Sequence, residues 1–140
     1  MARSTWRLLL SLLLAGCAAG PPQGNLYRDL GGEPGIAAIV DGVIVKIQAD
    51  EDVQELFEET DFDFFGEKLR LQLCEVADGP CVYDGLDMQS AHLSMDISEA
   101  EFNNFVQDLI DVLDGLGVPL PVQNRLLARL TPMRREIIYQ

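Results

Sequence analysis

Histidine, cationic side chains and long apolar runs are scarce in this chain of 140 residues, and each scarcity closes off a class of function. There is one histidine, His92. Sites that need two imidazoles, including most zinc sites and the His-x-x-x-His arrangement of metalloproteases, are therefore out of reach. A serine–histidine–acid triad is arithmetically open, yet no serine stands in a nucleophile-elbow setting. Lysine and arginine number 10 against 23 aspartates and glutamates, a formal net charge of −13. Phosphate backbones repel such a surface, which excludes nucleic acid as a partner. No EF-hand spacing gathers the acids into a calcium loop. The length suits one domain able to bury roughly two thirds of its unfolded surface.

The longest apolar run, Leu8 to Leu14, is interrupted by Ser11 and falls short of the roughly 20 residues a bilayer span needs. It follows Arg3 and Arg7 and has the length of a signal-peptide core. It ends in Leu14-Ala15-Gly16-Cys17, which resembles the bacterial lipobox. That resemblance implies a lipoprotein signal peptide at 1–16 and a lipidated Cys17 carrying several acyl chains, enough for stable anchoring. Ala18 rather than aspartate then favours the outer membrane, facing the periplasm, in a Gram-negative host. An ordinary secretory signal with an incidental Cys17, giving a secreted or periplasmic protein, is the alternative. Residues 17–24, with Pro21-Pro22, read as a short tether. Cleavage removes two arginines and no acid, deepening the negative charge by two units, and takes away Trp6, the single tryptophan.

Two further cysteines, Cys74 and Cys81, would then sit in an oxidising compartment. Either they are bridged across the turn Asp78-Gly79-Pro80, or they are two separate thiols.

The remainder predicts an all-α domain over 25–140. Asn25 caps a short helix that stops at Gly31-Gly32. Pro34 opens a second, running to about Ala49, with Ile36, Ile39, Val40, Val43, Ile44 and Ile47 on one face. An acidic stretch, 50–63, follows, with Leu56 and Phe57 as buried anchors. Thr60 or Asp61 caps a third helix to about Ala77, turning Phe62, Phe65, Leu69, Leu73 and Val76 inward. After a loop to Asp87, a brief helix carries Met88, Ala91 and His92. Ser98 and Glu101 form a capping box ahead of a helix that ends at Gly115-Leu116-Gly117. A last helix is expected from about Val122 to Ile138.

Four landmarks in order give the chain a specific likeness. They are Leu26-Tyr27-x-x-Leu30-Gly31-Gly32-x-Pro34-Gly35, then Leu56-Phe57-x-x-Thr60-Asp61. The third is Asp78-Gly79-Pro80-x-x-Tyr83-Asp84-Gly85-x-x-Met88-x-x-Ala91-His92, and the fourth Gly117-Val118-Pro119. From Asn25 to about Ile138 the sequence resembles a group 1 truncated hemoglobin. The resemblance implies a shortened globin, a two-on-two helical sandwich around haem b. It assigns His92 as the proximal ligand of the haem iron and Phe57 as the ring packed on the porphyrin. The family's second glycine pair stands here as Asp78-Gly79. Phe65, Leu69, Leu73, Met88, Phe105 and Val106 would supply apolar walls, though each serves equally as ordinary core.

The distal side departs from the family. Ile44 falls where many relatives carry a ligand-binding tyrosine, and Leu69 where they carry a glutamine. The expected pocket is apolar, without a hydrogen bond worth about 1.5–3 kcal/mol to bound O2. NO and CO would be relatively favoured, and the NO-dioxygenase activity implied by the family is weakened. Lys68 occupies a position from which some relatives ligate the iron and others hold a haem propionate. Ligation would require a neutral amine.

Three readings follow: an anchored haem protein for a diatomic gas, a six-coordinate electron-transfer or redox-sensing protein, or a haem-less scaffold acting as an interaction module. The acids of 50–61 are read as a solvated face, to which a basic redox partner such as a c-type cytochrome would be steered.

Overall fold

Asn25 starts the fold by accepting the backbone N–H of Arg28 on its side-chain oxygen at 3.2 Å, which caps helix α1 (Leu26–Asp29). In the computed structural model, residues 24–140 are described; the expected signal peptide, Cys17 and all of the tether but Gly24 lie outside the described residues. Helix α2 (Gly32–Ala49) begins two residues before Pro34. Gly31 and Gly32 take φ of 94° and 64°, so the glycine pair makes a sharp corner and its second member already belongs to the next helix. A Cβ on Gly35 would lie 1.8 Å from the Leu30 carbonyl oxygen, so the corner closes only on glycine.

Helix α2 is the spine. Ile36, Ile39, Val40, Val43 and Ile47 are buried along it, at the helical spacing of the sequence. It packs against α3 (Phe62–Val76) on one side and α5 (Glu99–Gly115) on the other. Glycines set both approaches. A Cβ on Gly42 would stand 2.7 Å from Val112 Cγ1, and one on Gly66 would stand 3.1 Å from Ile44 Cδ1. The buried amide of Gln123 donates to Asp114 Oδ1 at 2.7 Å and to the Val118 carbonyl at 2.9 Å, pinning α6 (Leu120–Leu130) to the end of α5. Helix α6 returns against α1 and α3. Helices α2, α3, α5 and α6 form a two-on-two sandwich with no strand among the described residues. Between α3 and α5, α4 (Met88–Ala91) is a single turn capped by Asp87.

The boundaries correct the sequence reading in two places. The last helix does not run to Ile138; it stops at Leu130 and continues as a 3-10 segment over Thr131–Glu136. Pro132 has no N–H to give to the preceding turn, so the α-helical hydrogen-bond ladder is broken there. The Thr131 hydroxyl instead donates to the Leu127 carbonyl at 2.8 Å. In the acidic stretch the buried anchor is Val53, at 0% exposure, whereas Leu56 and Phe57 are half-buried at the short 3-10 turn Gln54–Phe57. Their outer faces are turned towards a cavity, not the core.

Candidate functional site

The sandwich leaves a cavity of about 660 Å³, within the range of sites that enclose an organic cofactor. Helix α3 supplies one wall with Phe65, Lys68, Leu69, Gln72 and Leu73. The segment 83–97 supplies the facing wall with Tyr83, Leu86, Met88, His92 and Met95, and α5 closes it with Phe105, Val106 and Leu109. Phe57 stands at the junction, its ring centroid 5.3 Å from Phe65 edge-on and 6.4 Å from Phe105 nearly parallel. Such offset aromatic contacts stiffen the wall beyond what area burial provides.

His92 is brought there by a chain of local interactions. Asp87 accepts the backbone N–H and the hydroxyl of Ser90, each at 2.9 Å, and so starts α4. Those bonds hold the Asp87 carboxyl below its ordinary range. The turn ends on His92, whose Nδ1 lies 2.7 Å from the Met88 carbonyl oxygen. A carbonyl can only accept, so Nδ1 carries a proton, and in the neutral ring the lone pair is then on Nε2. This is the second-sphere arrangement that orients a metal-binding imidazole. Among the described residues no three of the His, Cys, Asp and Glu side chains cluster as a metal cage. One imidazole suffices only where a macrocycle supplies the remaining iron ligands, as porphyrin does. An apolar slot with one oriented imidazole fits haem on both counts.

Of the residues singled out in the sequence, His92, Phe57, Phe65, Lys68, Leu69, Leu73, Met88, Phe105 and Val106 all line this cavity. Ile44 does not: it packs into the notch left by Gly66 between α2 and α3, and Val43 lines the wall instead. Helix–helix approach, invisible to residue spacing, turns Ile44 away. Lys68 reaches the cavity with its ammonium tied to Asp84 at 2.9 Å and to Glu67 at 3.1 Å. These bonds, Asp84 first, raise its pKa above the usual lysine value and favour the charged form.

The sequence reading missed Gln72, Met95, Met133 and Arg134, which also line the cavity. Gln72 Nε2 lies 3.1 Å from Met88 Sδ and 3.8 Å from Met133 Sδ, both weak acceptors. Arg134 and Lys68 are the two cationic side chains in the lining, Arg134 being paired with Glu99 at 3.0 Å. The dipeptide Thr131-Pro132 was the signal that would have placed Met133 and Arg134 outside a continuous helix. Cys74 and Cys81 are joined by a disulfide with Cα atoms 5.8 Å apart. The φ of 60° falls on Asp78 and not on Gly79, and the Asp78 carboxylate pairs with Arg129 at 2.6 Å. Aspartate tolerates this left-handed conformation, so the departure from a glycine pair leaves the turn intact.

The geometry agrees with what the chain resembles among known proteins. It is 31% identical to the group 1 truncated hemoglobin of Tetrahymena pyriformis over 84% of this chain and 96% of that protein. It is 26% identical to the group 1 truncated hemoglobin of a Nostoc species, over 81% of this chain and 97% of that one. The crystal structure of the Tetrahymena pyriformis truncated hemoglobin in its Fe(III) form superposes with a TM-score of 0.81 at 29% identity, covering 84% of this chain and all of that one. The family model for bacterial-like globins matches residues 25–139, nearly the whole of the described chain. The chain therefore belongs to the bacterial-like globin family, with the fold of a truncated hemoglobin.

Proposed function

We propose that this globin binds haem b in the cavity between α3 and the His92 segment, holds its iron through Nε2 of His92, and presents the opposite, apolar side to a diatomic gas. The observation that carries this reading is the 2.7 Å contact from His92 Nδ1 to the Met88 carbonyl, which orients the ring and, in the neutral imidazole, puts the lone pair on Nε2 in the wall of an apolar cavity. When bound, haem would supply the iron at which O2, NO or CO binds. Phe65 and Leu69 exclude water from that side, and neither offers a hydrogen-bond donor. Lys68 and Arg134 are the side chains available to the anionic propionates, and Phe57 to the porphyrin face.

The ion pair of Lys68 with Asp84 favours five-coordinate iron over lysine ligation. Val43 and Leu69 line the cavity without a hydrogen-bond donor of their own, which argues against a catalytic dioxygenase. Haem titration of the full chain tests the reading. A stoichiometric Soret band that is lost or shifted in His92→Ala is expected; no band, or one unchanged by the substitution, would overturn it.

The lipobox-like Leu14-Ala15-Gly16-Cys17 extends the proposal to location. Signal cleavage after Gly16 and acylation of Cys17 would hold the globin on a tether of a few residues at a bacterial membrane. Among the described residues no helix is long and apolar enough to cross a bilayer. Mass spectrometry of the mature N-terminus checks this: a Cys17 carrying a diacylglyceryl thioether and an amide-linked acyl chain is expected, and an unmodified one rejects the anchor.

A further inference from the structure

Beyond Ala77 and the turn 78–80, the segment that leads to α4 does not join the core. None of residues 81–92 is fully buried, and α4 itself is four residues with no buried member. A single helical turn has no stability of its own. His92 sits at the end of that turn, so something other than apolar packing must fix it relative to α3.

Besides the weak contact of Gln72 Nε2 with Met88 Sδ at 3.1 Å, three links run from this loop back to α3. The Tyr83 backbone N–H donates to Glu75 Oε1 at 3.2 Å, and Asp84 pairs with Lys68 at 2.9 Å. The third is covalent: Cys81 to Cys74, with Cys74 buried at 2% exposure in α3. The Gly79 N–H donates to the Cys74 carbonyl at 2.8 Å and closes the turn beneath the bridge. Beyond His92 the segment is held by its backbone, with the Ser94 N–H donating to the Gln140 carbonyl at 3.1 Å.

We propose that the Cys74–Cys81 disulfide is the positioning element for His92: it locks the register of the loop on α3 and so fixes the imidazole against the opposite wall of the cavity. This rests on the reading of His92 as the iron ligand. The two noncovalent links each rest on an exposed carboxylate, Glu75 or Asp84, that solvent and salt weaken, whereas the bridge persists through both. Its effect is local because the residues it restrains contribute nothing to the buried core. Opening of the loop is then a partial unfolding, separate from the global transition.

The test compares the full chain with the Cys74→Ala/Cys81→Ala double variant, free of haem and loaded with it. Without haem, amide hydrogen exchange at 82–96 is expected to quicken at least tenfold, while core amides of α2 and α5 stay within about twofold. Wild type reduced by dithiothreitol, which becomes its cyclic disulfide as Cys74 and Cys81 become thiols, should do the same with both side chains retained. In the loaded protein, haem loss to excess apomyoglobin should quicken at least tenfold and the iron–histidine stretching band should broaden. In a His92→Ala background the double variant should add nothing further to haem loss, the signature of coupling through that residue. Uniform acceleration of exchange across core and loop would overturn the proposal, as would an equal effect with and without His92. Failure of the wild-type chain to take up haem would overturn the function reading alone, and exchange at 82–96 would still decide whether the bridge holds the segment.

Discussion

Asp84 Oδ1 lies 2.9 Å from Lys68 Nζ, so the loop ahead of His92 is tied to the helix that forms the opposite wall of the cavity. The hydrogen bond raises the Lys68 pKa and lowers that of Asp84. For the lysine, the contribution to stability is fully present below its unfolded value and is lost as pH rises through the raised folded one. For the aspartate, it is present above the unfolded value and is lost as pH falls through the lowered one. The pair thus acts across the whole neutral range. Lys68→Met is expected to leave the ferric visible spectrum of the haem-loaded protein unchanged at pH 7. Disappearance of low-spin bands in that variant would show the amine to be an iron ligand after all.

Asp108 is a second acidic group with a defined pH signature. It is 6% exposed in α5, its Oδ2 has no hydrogen-bond partner, and Lys46 stands 3.9 Å from its Oδ1. Burial first, then the neighbouring Asp50 carboxylate, raises its pKa. The folded state holds this proton more tightly than the unfolded state, so stability falls as pH rises from the ordinary aspartate range through the raised value. Asp108→Asn supplies a donor towards Asp50 and should stabilise the chain at pH 7 by about 1 kcal/mol. The gain should fade below pH 4, which urea denaturation at both pH values would read.

Two glycines should respond oppositely to alanine. At Gly79 a Cβ would meet Cys74 Sγ at 2.6 Å and the Cys74 carbonyl oxygen at 2.7 Å. Gly79→Ala is expected to cost about 1–3 kcal/mol in chemical denaturation, because backbone must yield. At Gly115, the last residue of α5, nothing lies within 4 Å of a new Cβ. Gly115→Ala should stabilise by about 0.5–1 kcal/mol.

The capping box of α5 is complete. Ser98 Oγ accepts the Glu101 N–H at 3.3 Å, and Glu101 Oε2 accepts the Ser98 N–H at 2.8 Å. Ser98→Ala should lower stability by about 1 kcal/mol in thermal or urea unfolding, with fraying confined to the first turn of α5. Unchanged stability would mean that helix packing alone fixes this end.

What was legible in the sequence was local. Asn25, Asp61 and the Ser98–Glu101 box signal helix starts because a cap needs only residues three apart. The frame of His92 was legible through motif order, since its landmarks lie in a short stretch. Ile44 was misplaced because its direction depends on how closely Gly66 lets α3 approach α2. Met133 and Arg134 were missed because the apolar rhythm of α6 continues past Pro132 although the backbone does not. The cysteine spacing allowed both a bridge and free thiols, and only the course of the loop along α3 brings the two together.

The three methionines among the described residues, Met88, Met95 and Met133, all face the same cavity as His92. Thioethers are the softest and most adaptable apolar side chains, and also those that peroxide converts to polar sulfoxides. The aliphatic core of α2 contains nothing comparable to oxidise. Oxidative injury to this protein should therefore be registered first at this cavity, as a loss of apolar lining that reductases can reverse, while the scaffold around it stays chemically intact.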